Sequence, residues 1–215
     1  IEQLTVIYTN AGILVVPLIQ ALLGQQYVVY SCGFLVVQLV LLWTHCRSKL
    51  TAEKGIQWKK ILWNINVISI LIGAVLFFCH ITLPSVIDDT IQMTGDMVGP
   101  MGMLLAGMVI ADIPMKRVFA VLENYKTVIL RLIVYPIALL GLMKLVHATG
   151  MVADGKNILL TVYLACITPA CATVTSMAQL YDKDAAKSSV LYVLTTIFSI
   201  VTMPIMIGLY TIWLE

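Results

Sequence analysis

The sequence predicts an all-α membrane protein with seven transmembrane helices, and three observations support that fold class. The 215 residues are 60% hydrophobic and only 11% charged, whereas a soluble globular protein carries about 25% charged residues. Apolar residues run continuously rather than alternating with polar ones, which is the pattern of buried helices. Seven such segments approach the length of about 20 residues that crosses a bilayer. They cover 4–23, 27–46, 61–81, 90–111, 127–147, 157–181 and 187–213.

The first and sixth segments are interrupted near their middles. Pro169 has no N–H, so a carbonyl one turn earlier loses its helical partner and Thr168 is pushed out of the α region. The first segment is interrupted by Asn10 and Gly12, with Pro17 seven residues beyond Asn10. A carbonyl freed in hydrocarbon must pair with protein, water or a ligand. Each interruption is therefore either a kink satisfied by neighbouring helices or part of a binding site.

The two interrupted segments also occupy corresponding positions, which favours a transporter's binding site. Each precedes a short polar turn and an apolar helix, and the turn centres Gln25 and Lys183 lie 158 residues apart (183 minus 25). The pattern predicts a ten-helix, five-plus-five inverted repeat of which this chain is the C-terminal part, without the first three helices. Residues 1–46 would be the last two helices of the N-terminal repeat, 47–60 a loop, and 61–215 the complete C-terminal repeat.

Basic residues predict the orientation of the chain in the membrane. Lys and Arg concentrate in the connections after the second, fourth and sixth segments, which all fall on one side when seven spans alternate. Because basic loops remain cytoplasmic, loop 47–60 is expected in the cytoplasm and the C-terminus outside. We expect a multi-pass protein of the cell (inner) membrane.

Three polar residues within the apolar segments are candidates for function. The Asn10 amide can donate to a carboxylate and accept from a hydroxyl, although it could instead satisfy neighbouring backbone. Asp96 could bind a coupling proton or cation, or cap the start of a helix near the outer interface. Arg131 could pair with a substrate, but we expect its long side chain to reach the cytoplasmic interface.

No motif indicates enzymatic chemistry. The sequence contains no nucleotide-binding loop, no paired catalytic carboxylates and no zinc-binding spacing, and its five cysteines stand at no metal-ligand spacing. We therefore expect no enzymatic activity, no cofactor and no metal.

Short motifs spread over nearly the whole chain resemble the auxin efflux carrier family, which includes bacterial malonate- and malate-type carriers and plant auxin exporters. They are Asn10-Ala11-Gly12 with Pro17-Leu18, Gly99-Pro100-Met101 with Leu104-Leu105 and Gly107, Thr168-Pro169-Ala170, and Ala178-Gln179-Leu180-Tyr181. In this family the fourth and ninth helices cross at proline-marked breaks where substrate binds. The resemblance makes 4–23 the fourth helix and 157–181 the ninth. Val15 and Thr9 depart from the family pattern, which has Gly and, in plant members, Pro at these positions.

The resemblance implies a secondary transporter, a permease or efflux carrier, of a small organic anion such as malonate, malate or another carboxylate. It matches Asn10 to the family's substrate-contacting Asn and Pro169 to its crossover proline. With them we expect Gly12, Thr168 and Ala170 to form the substrate site, and Asp96 to be the candidate for ion or proton coupling. The crossed-helix bundle would move against a scaffold by an elevator or rocking motion.

Two other functions stay open at this point. One is a sodium-coupled carrier of the bile-acid-transporter type, which also uses crossed broken helices, and the other is a seven-helix membrane sensor without transport. The expected partners are a small organic anion and the lipid bilayer, with a homodimer left open and no nucleic acid.

Overall fold

A computed structural model describes residues 1–51, 63, 65–97, 114–145 and 154–214, together with 100, 101, 104, 108 and 111. Over these residues the chain is helical apart from short turns and one isolated backbone bridge. The helices are α1 (Glu2–Ile7), α2 (Ala11–Leu22), α3 (Val28–Leu41), α4 (Arg47–Thr51), α5 (Ile65–Phe78), α6 (Ser85–Asp96), α7 (Met115–Ala120), α8 (Leu122–Ile129), α9 (Tyr135–Leu145), α10 (Gly155–Ile167), α11 (Ala172–Leu180) and α12 (Ala185–Leu214).

Within the described part of the chain, three continuous helical stretches are long and apolar enough to cross a membrane. They are Gln25–Thr51, Leu122–Leu145 and Ala185–Trp213, with 27, 24 and 29 residues. Short 3-10 and π-helical turns join α3 to its neighbours, and a π-helical turn at Leu130–Val134 joins α8 to α9. These stretches confirm a membrane protein with apolar helices over three of the predicted segments. The first extends to Thr51, past the predicted boundary at 46, and the remainder of loop 47–60 lies outside the described residues.

The two interrupted segments each form two helices instead of one. In the first, α1 ends at Ile7 and α2 begins at Ala11, so the interruption lies at residues 8–10. Pro17 lies inside α2 and does not break it. In the second, α10 ends at Ile167 and α11 begins at Ala172. The apolar halves Ala11–Leu22 and Gly155–Ile167 are each too short to span a bilayer alone.

The segments at 61–81 and 90–111 are only partly described. Helix α5 covers Ile65–Phe78, and α6 covers Ser85–Asp96 with no buried residue. Most of 98–113, including the Gly99 and Gly107 motif positions, lies outside the described residues. The count of seven spans and the inverted repeat stay predictions.

Buried side chains form clusters on either side of the two breaks. One cluster joins α2, α9, α10 and α12 through residues such as Val15, Leu140 and Tyr210. Another joins α1, α4 and α11 through Leu4 and Met177. The breaks are therefore enclosed by packed helices, whereas most of α5 and α6 is exposed.

Candidate functional site

The two helix breaks meet and pair with each other. Thr9 and Ala170 form an antiparallel backbone bridge. The Asn10 N–H donates to the Pro169 carbonyl at 2.8 Å, and the Cys171 N–H donates to the Tyr8 carbonyl at 3.2 Å. We call residues 8–10 and 168–171 the crossing. Its bonds satisfy backbone groups that leave the helical ladder, as a break within a membrane requires.

Helix ends of both kinds converge at the crossing. Asn10 and Cys171 are the N-cap residues of α2 and α11, while α1 and α10 end there. The first turns of a helix carry unpaired N–H groups and partial positive charge, and the last turns carry unpaired carbonyls and partial negative charge. The crossing therefore offers separate sites for a negative and a positive group.

Arg131 occupies the carbonyl side of the crossing. Its guanidinium donates from Nη1 to the Val6 carbonyl at 2.8 Å, and from Nη2 to the carbonyls of Thr168 at 2.8 Å and Cys166 at 3.1 Å. The side chain is fully buried. The expectation that Arg131 reaches the cytoplasmic interface is wrong, because the carbonyl ends of α1 and α10 solvate the guanidinium within the protein.

Two further helices fasten the crossing. Gln38 of α3 pairs with Thr9 twice: the Thr9 hydroxyl donates to Oε1 at 2.8 Å, and Nε2 donates to the Thr9 carbonyl at 2.6 Å. From α12, the Thr195 hydroxyl accepts from the Ala170 N–H at 3.2 Å. The sequence predictions missed both residues. Gln38 carried a usable signal, since it is a lone amide among valines and leucines in Val36-Val37-Gln38-Leu39-Val40.

Asn10 and Tyr192 meet at the crossing. Asn10 is 3% exposed, and its amide makes no cap hydrogen bond to the first turn of α2. The buried Tyr192 hydroxyl lies beside Asn10 and Thr196, and no well-formed hydrogen bond to that hydroxyl is found among the described residues. An amide and a hydroxyl buried side by side can both pair with a polar solute.

The other predicted site residues divide into two groups. Gly12 lies in the first turn of α2, is exposed, and has open space where a Cβ would stand. Thr168, Pro169 and Ala170 are buried and committed to the crossing itself. The Thr168 hydroxyl donates to the Ala165 carbonyl at 3.0 Å. The Pro169 carbonyl and the Ala170 N–H are already paired as described above.

Asp96 is not brought to the crossing. It is the last residue of α6 and is exposed. The helix start that Asp96 is predicted to cap would follow it, and residues 98 and 99 lie outside the described residues. No hydrogen bond or ion pair found among the described residues joins it to the crossing.

An open groove of about 670 Å³ lies between α1, α4 and α8. Val6 and Ile7, which precede the crossing, form part of its wall, and its charged or basic lining residues are Glu2, His45, Lys49 and Lys126. The Tyr8 hydroxyl donates to the Leu41 carbonyl at 2.8 Å and lies 3.0 Å from His45 Nδ1. The groove therefore places basic side chains and one carboxylate along α1.

A comparison with known protein families gives a match over most of the chain. Residues 51–207, which are 157 of the 215 residues, match a family model described as "membrane transport protein". No curated protein and no solved structure matches the chain. The matched range includes Arg131 and the break at residues 168–171.

Proposed function

The chain belongs to the membrane transport protein family, that of the auxin efflux carriers, and from this premise we propose that it carries a small organic anion such as malonate, malate or another carboxylate. A member of this family is a membrane transporter. The proposal places the anion at the crossing. The observation behind it is the buried amide of Asn10, which makes no cap hydrogen bond and lies beside the Tyr192 hydroxyl at the point where α2 and α11 both begin.

The N-terminal ends of α2 and α11 at the crossing favour a negatively charged ligand. Each helix N-terminus contributes partial positive charge equivalent to about half an elementary charge, together with free backbone N–H donors. The Asn10 amide adds a donor for a carboxylate and an acceptor for a hydroxyl. Gly12 has no side chain, so a solute can approach the first turn of α2 closely.

We assign Thr168, Pro169 and Ala170 a different part in binding. The Thr168 hydroxyl is occupied by the Ala165 carbonyl, so it is not offered to the ligand. These residues hold the break open, and the backbone N–H groups of the following helix α11 contact the carboxylate.

The fastening of the crossing supports a rigid-body movement. Gln38 ties it to α3, Arg131 to the α8–α9 stretch, and Thr195 to α12. Moving one break past the other would break the two backbone hydrogen bonds of the crossing and pull apart the carbonyls of α1 and α10 that Arg131 joins. We infer that the crossing and these three helices move together against the rest of the protein, as an elevator does.

The test is uptake of radiolabelled malonate, malate and lactate into proteoliposomes containing the full-length protein. Asn10→Ala is compared with Gln20→Ala, a control on the exposed face of the same helix whose amide bonds only to exposed Gln25. Expression and thermal unfolding midpoint are matched. Saturable uptake that Asn10→Ala lowers by about tenfold or more, as the loss of a hydrogen bond to a charged ligand predicts, supports the proposal.

Two outcomes would contradict it. Uptake unchanged by Asn10→Ala would place the binding site away from the crossing. If the wild-type protein takes up none of these acids, the proposal that it carries small carboxylates is refuted and the membrane sensor is favoured.

A further inference from the structure

Arg131 occupies the position that a coupling cation takes in other carriers with broken helices. Such ions are coordinated by unwound backbone carbonyls and by the C-terminal ends of half-helices. Here the corresponding carbonyls, those of Val6, Cys166 and Thr168, all accept hydrogen bonds from one guanidinium. We propose that Arg131 is a positioning residue, a cation tethered to the protein that holds both half-helix ends in place of a dissociable ion. This inference rests on the proposed function.

Charge balance supports the tethered cation. Arg131 is fully buried, and no carboxylate among the described residues pairs with it. A buried charge needs compensation. The C-terminal ends of α1 and α10 carry partial negative charge, and their carbonyl oxygens bond the guanidinium directly. The negative ends of the crossing are thereby neutralised, which leaves its positive ends to the transported anion.

The geometry is specific to arginine. The planar guanidinium reaches a carbonyl of α1 with one nitrogen and two carbonyls at the end of α10 with another, which a point-like ammonium cannot reproduce. Arg131 also lies within the π-helical turn Leu130–Val134, and such turns are frequent at functional sites. Its Nε has no hydrogen-bond partner among the described residues. The Arg131 side chain thus bonds the carbonyls of the two helix ends and pairs with no carboxylate among the described residues.

A tethered cation makes two predictions that a merely structural arginine does not. Anion binding will not require sodium, because the carbonyls that would coordinate it are occupied. Anion binding will also depend on the charge at position 131, since an uncompensated pair of helix ends opposes an anion nearby. Arg131 acts through Val6, Cys166 and Thr168 and does not itself contact the anion.

The experiment measures equilibrium binding of the radiolabelled acid that the wild-type protein transports, in sodium chloride and in choline chloride. The full-length protein is compared with Arg131→Lys, Arg131→Met and Leu140→Ala. Leu140 is buried in α9 within the cluster that joins α2, α9, α10 and α12, and its truncation leaves a cavity without removing a charge. The thermal unfolding midpoint of each variant is measured alongside the Kd.

We expect the wild-type Kd to agree within about twofold between the two salts. Arg131→Met should raise the Kd by about tenfold or more, while Arg131→Lys, which keeps the charge but cannot bond both helix ends at once, should raise it by a smaller factor. Leu140→Ala should lower the unfolding midpoint and leave the Kd unchanged. If Arg131→Met does not fold, the tethered cation is tested by comparing the Kd in sodium chloride with the Kd in choline chloride, for the wild-type protein and for Arg131→Lys.

The outcomes separate the two proposals. Wild-type binding that requires sodium, or a folded Arg131→Met protein with wild-type Kd, refutes the tethered cation and leaves the carrier standing. If the wild-type protein binds no acid in either salt, the proposed carrier function fails.

Discussion

The backbone N–H of Asn10 and the carbonyl oxygen of Pro169 lie 2.8 Å apart in a hydrogen bond that joins the two helix breaks. Asn10, whose amide is proposed to bind the anion, is thus held in place by the residue that causes the opposite break. Each break supplies the backbone partner that the other needs, so neither is expected to keep its shape alone.

A disulfide between positions 9 and 170 tests this pairing. The flanking hydrogen bonds make Thr9 and Ala170 a non-hydrogen-bonded antiparallel pair, whose Cα atoms are typically about 4.5 Å apart and within disulfide range. In a background with the five native cysteines replaced by serine, Thr9→Cys with Ala170→Cys should cross-link under mild oxidation, as mass spectrometry of the linked peptides would show. Thr9→Cys with Ser176→Cys, on the exposed face of α11, should not. Equal linkage in both pairs would argue against the crossing.

Gln38→Leu should destabilise the protein. Gln38 makes both of the hydrogen bonds that Thr9 uses, and both residues are buried. Leaving the Thr9 carbonyl and hydroxyl unpaired is expected to cost about 1–3 kcal/mol of unfolding free energy, measured by denaturation in detergent. The control Gln20→Leu breaks only an exposed pair with Gln25 and should change stability by no more than about 0.5 kcal/mol. Equal effects of the two changes would contradict the assigned pairing.

Two substitutions of Thr195 test its hydrogen bond to the crossing. Its hydroxyl accepts from the Ala170 N–H at 3.2 Å and donates within α12 to the Leu191 carbonyl at 2.8 Å. Thr195→Val keeps the shape but leaves a buried N–H unpaired, so about 1–3 kcal/mol should be lost. Thr195→Ser keeps the hydroxyl and should lose less than Thr195→Val in the same unfolding assay. The reverse order would mean that the methyl group, and not the hydroxyl, supports the crossing.

Acid sensitivity should arise in part from Glu2 at the start of α1. A hydrogen bond from Lys187, 2.5 Å away, holds the pKa of the Glu2 carboxyl below its ordinary value of 4.5. The contribution of this pair to stability is therefore complete above that ordinary value and is lost as the pH falls through the lowered pKa. Glu2→Gln should remove this part of the acid dependence of the unfolding midpoint. The effect should be small, because the pair is exposed, and should vanish in 1 M salt.

Sequence patterns predicted the breaks well because their causes are local. Pro169 cannot donate a backbone hydrogen bond and constrains Thr168, wherever the rest of the chain lies. Asn10 was likewise recognisable as an amide within an apolar segment. For the first break, however, the interruption lies at residues 8–10 and Pro17 remains helical, since helix ends depend on the partners that surround them.

The position of Arg131 could not be predicted from the sequence, because its causes are not local. Its three carbonyl partners lie 125, 35 and 37 residues away along the chain. Distance from the membrane surface alone favours a side chain that reaches the interface, and neither apolar periodicity nor charge pattern reveals a π-helical turn. Only the packing of α1 and α10 against this helix directs the guanidinium inward.

The spacing of these partners also sets an order of events during synthesis. The ribosome makes Val6 long before Arg131, but Cys166 and Thr168 follow it by 35 and 37 residues. The stretch Leu122–Leu145 therefore reaches the membrane before α10 can supply the carbonyls of Cys166 and Thr168, at a cost of about 2.5–3.5 kcal/mol if the charge lies near mid-membrane. A nascent chain halted before residue 168 would retain that cost. Quality-control proteases that recognise exposed intramembrane charge would then distinguish a finished protein from an unfinished one.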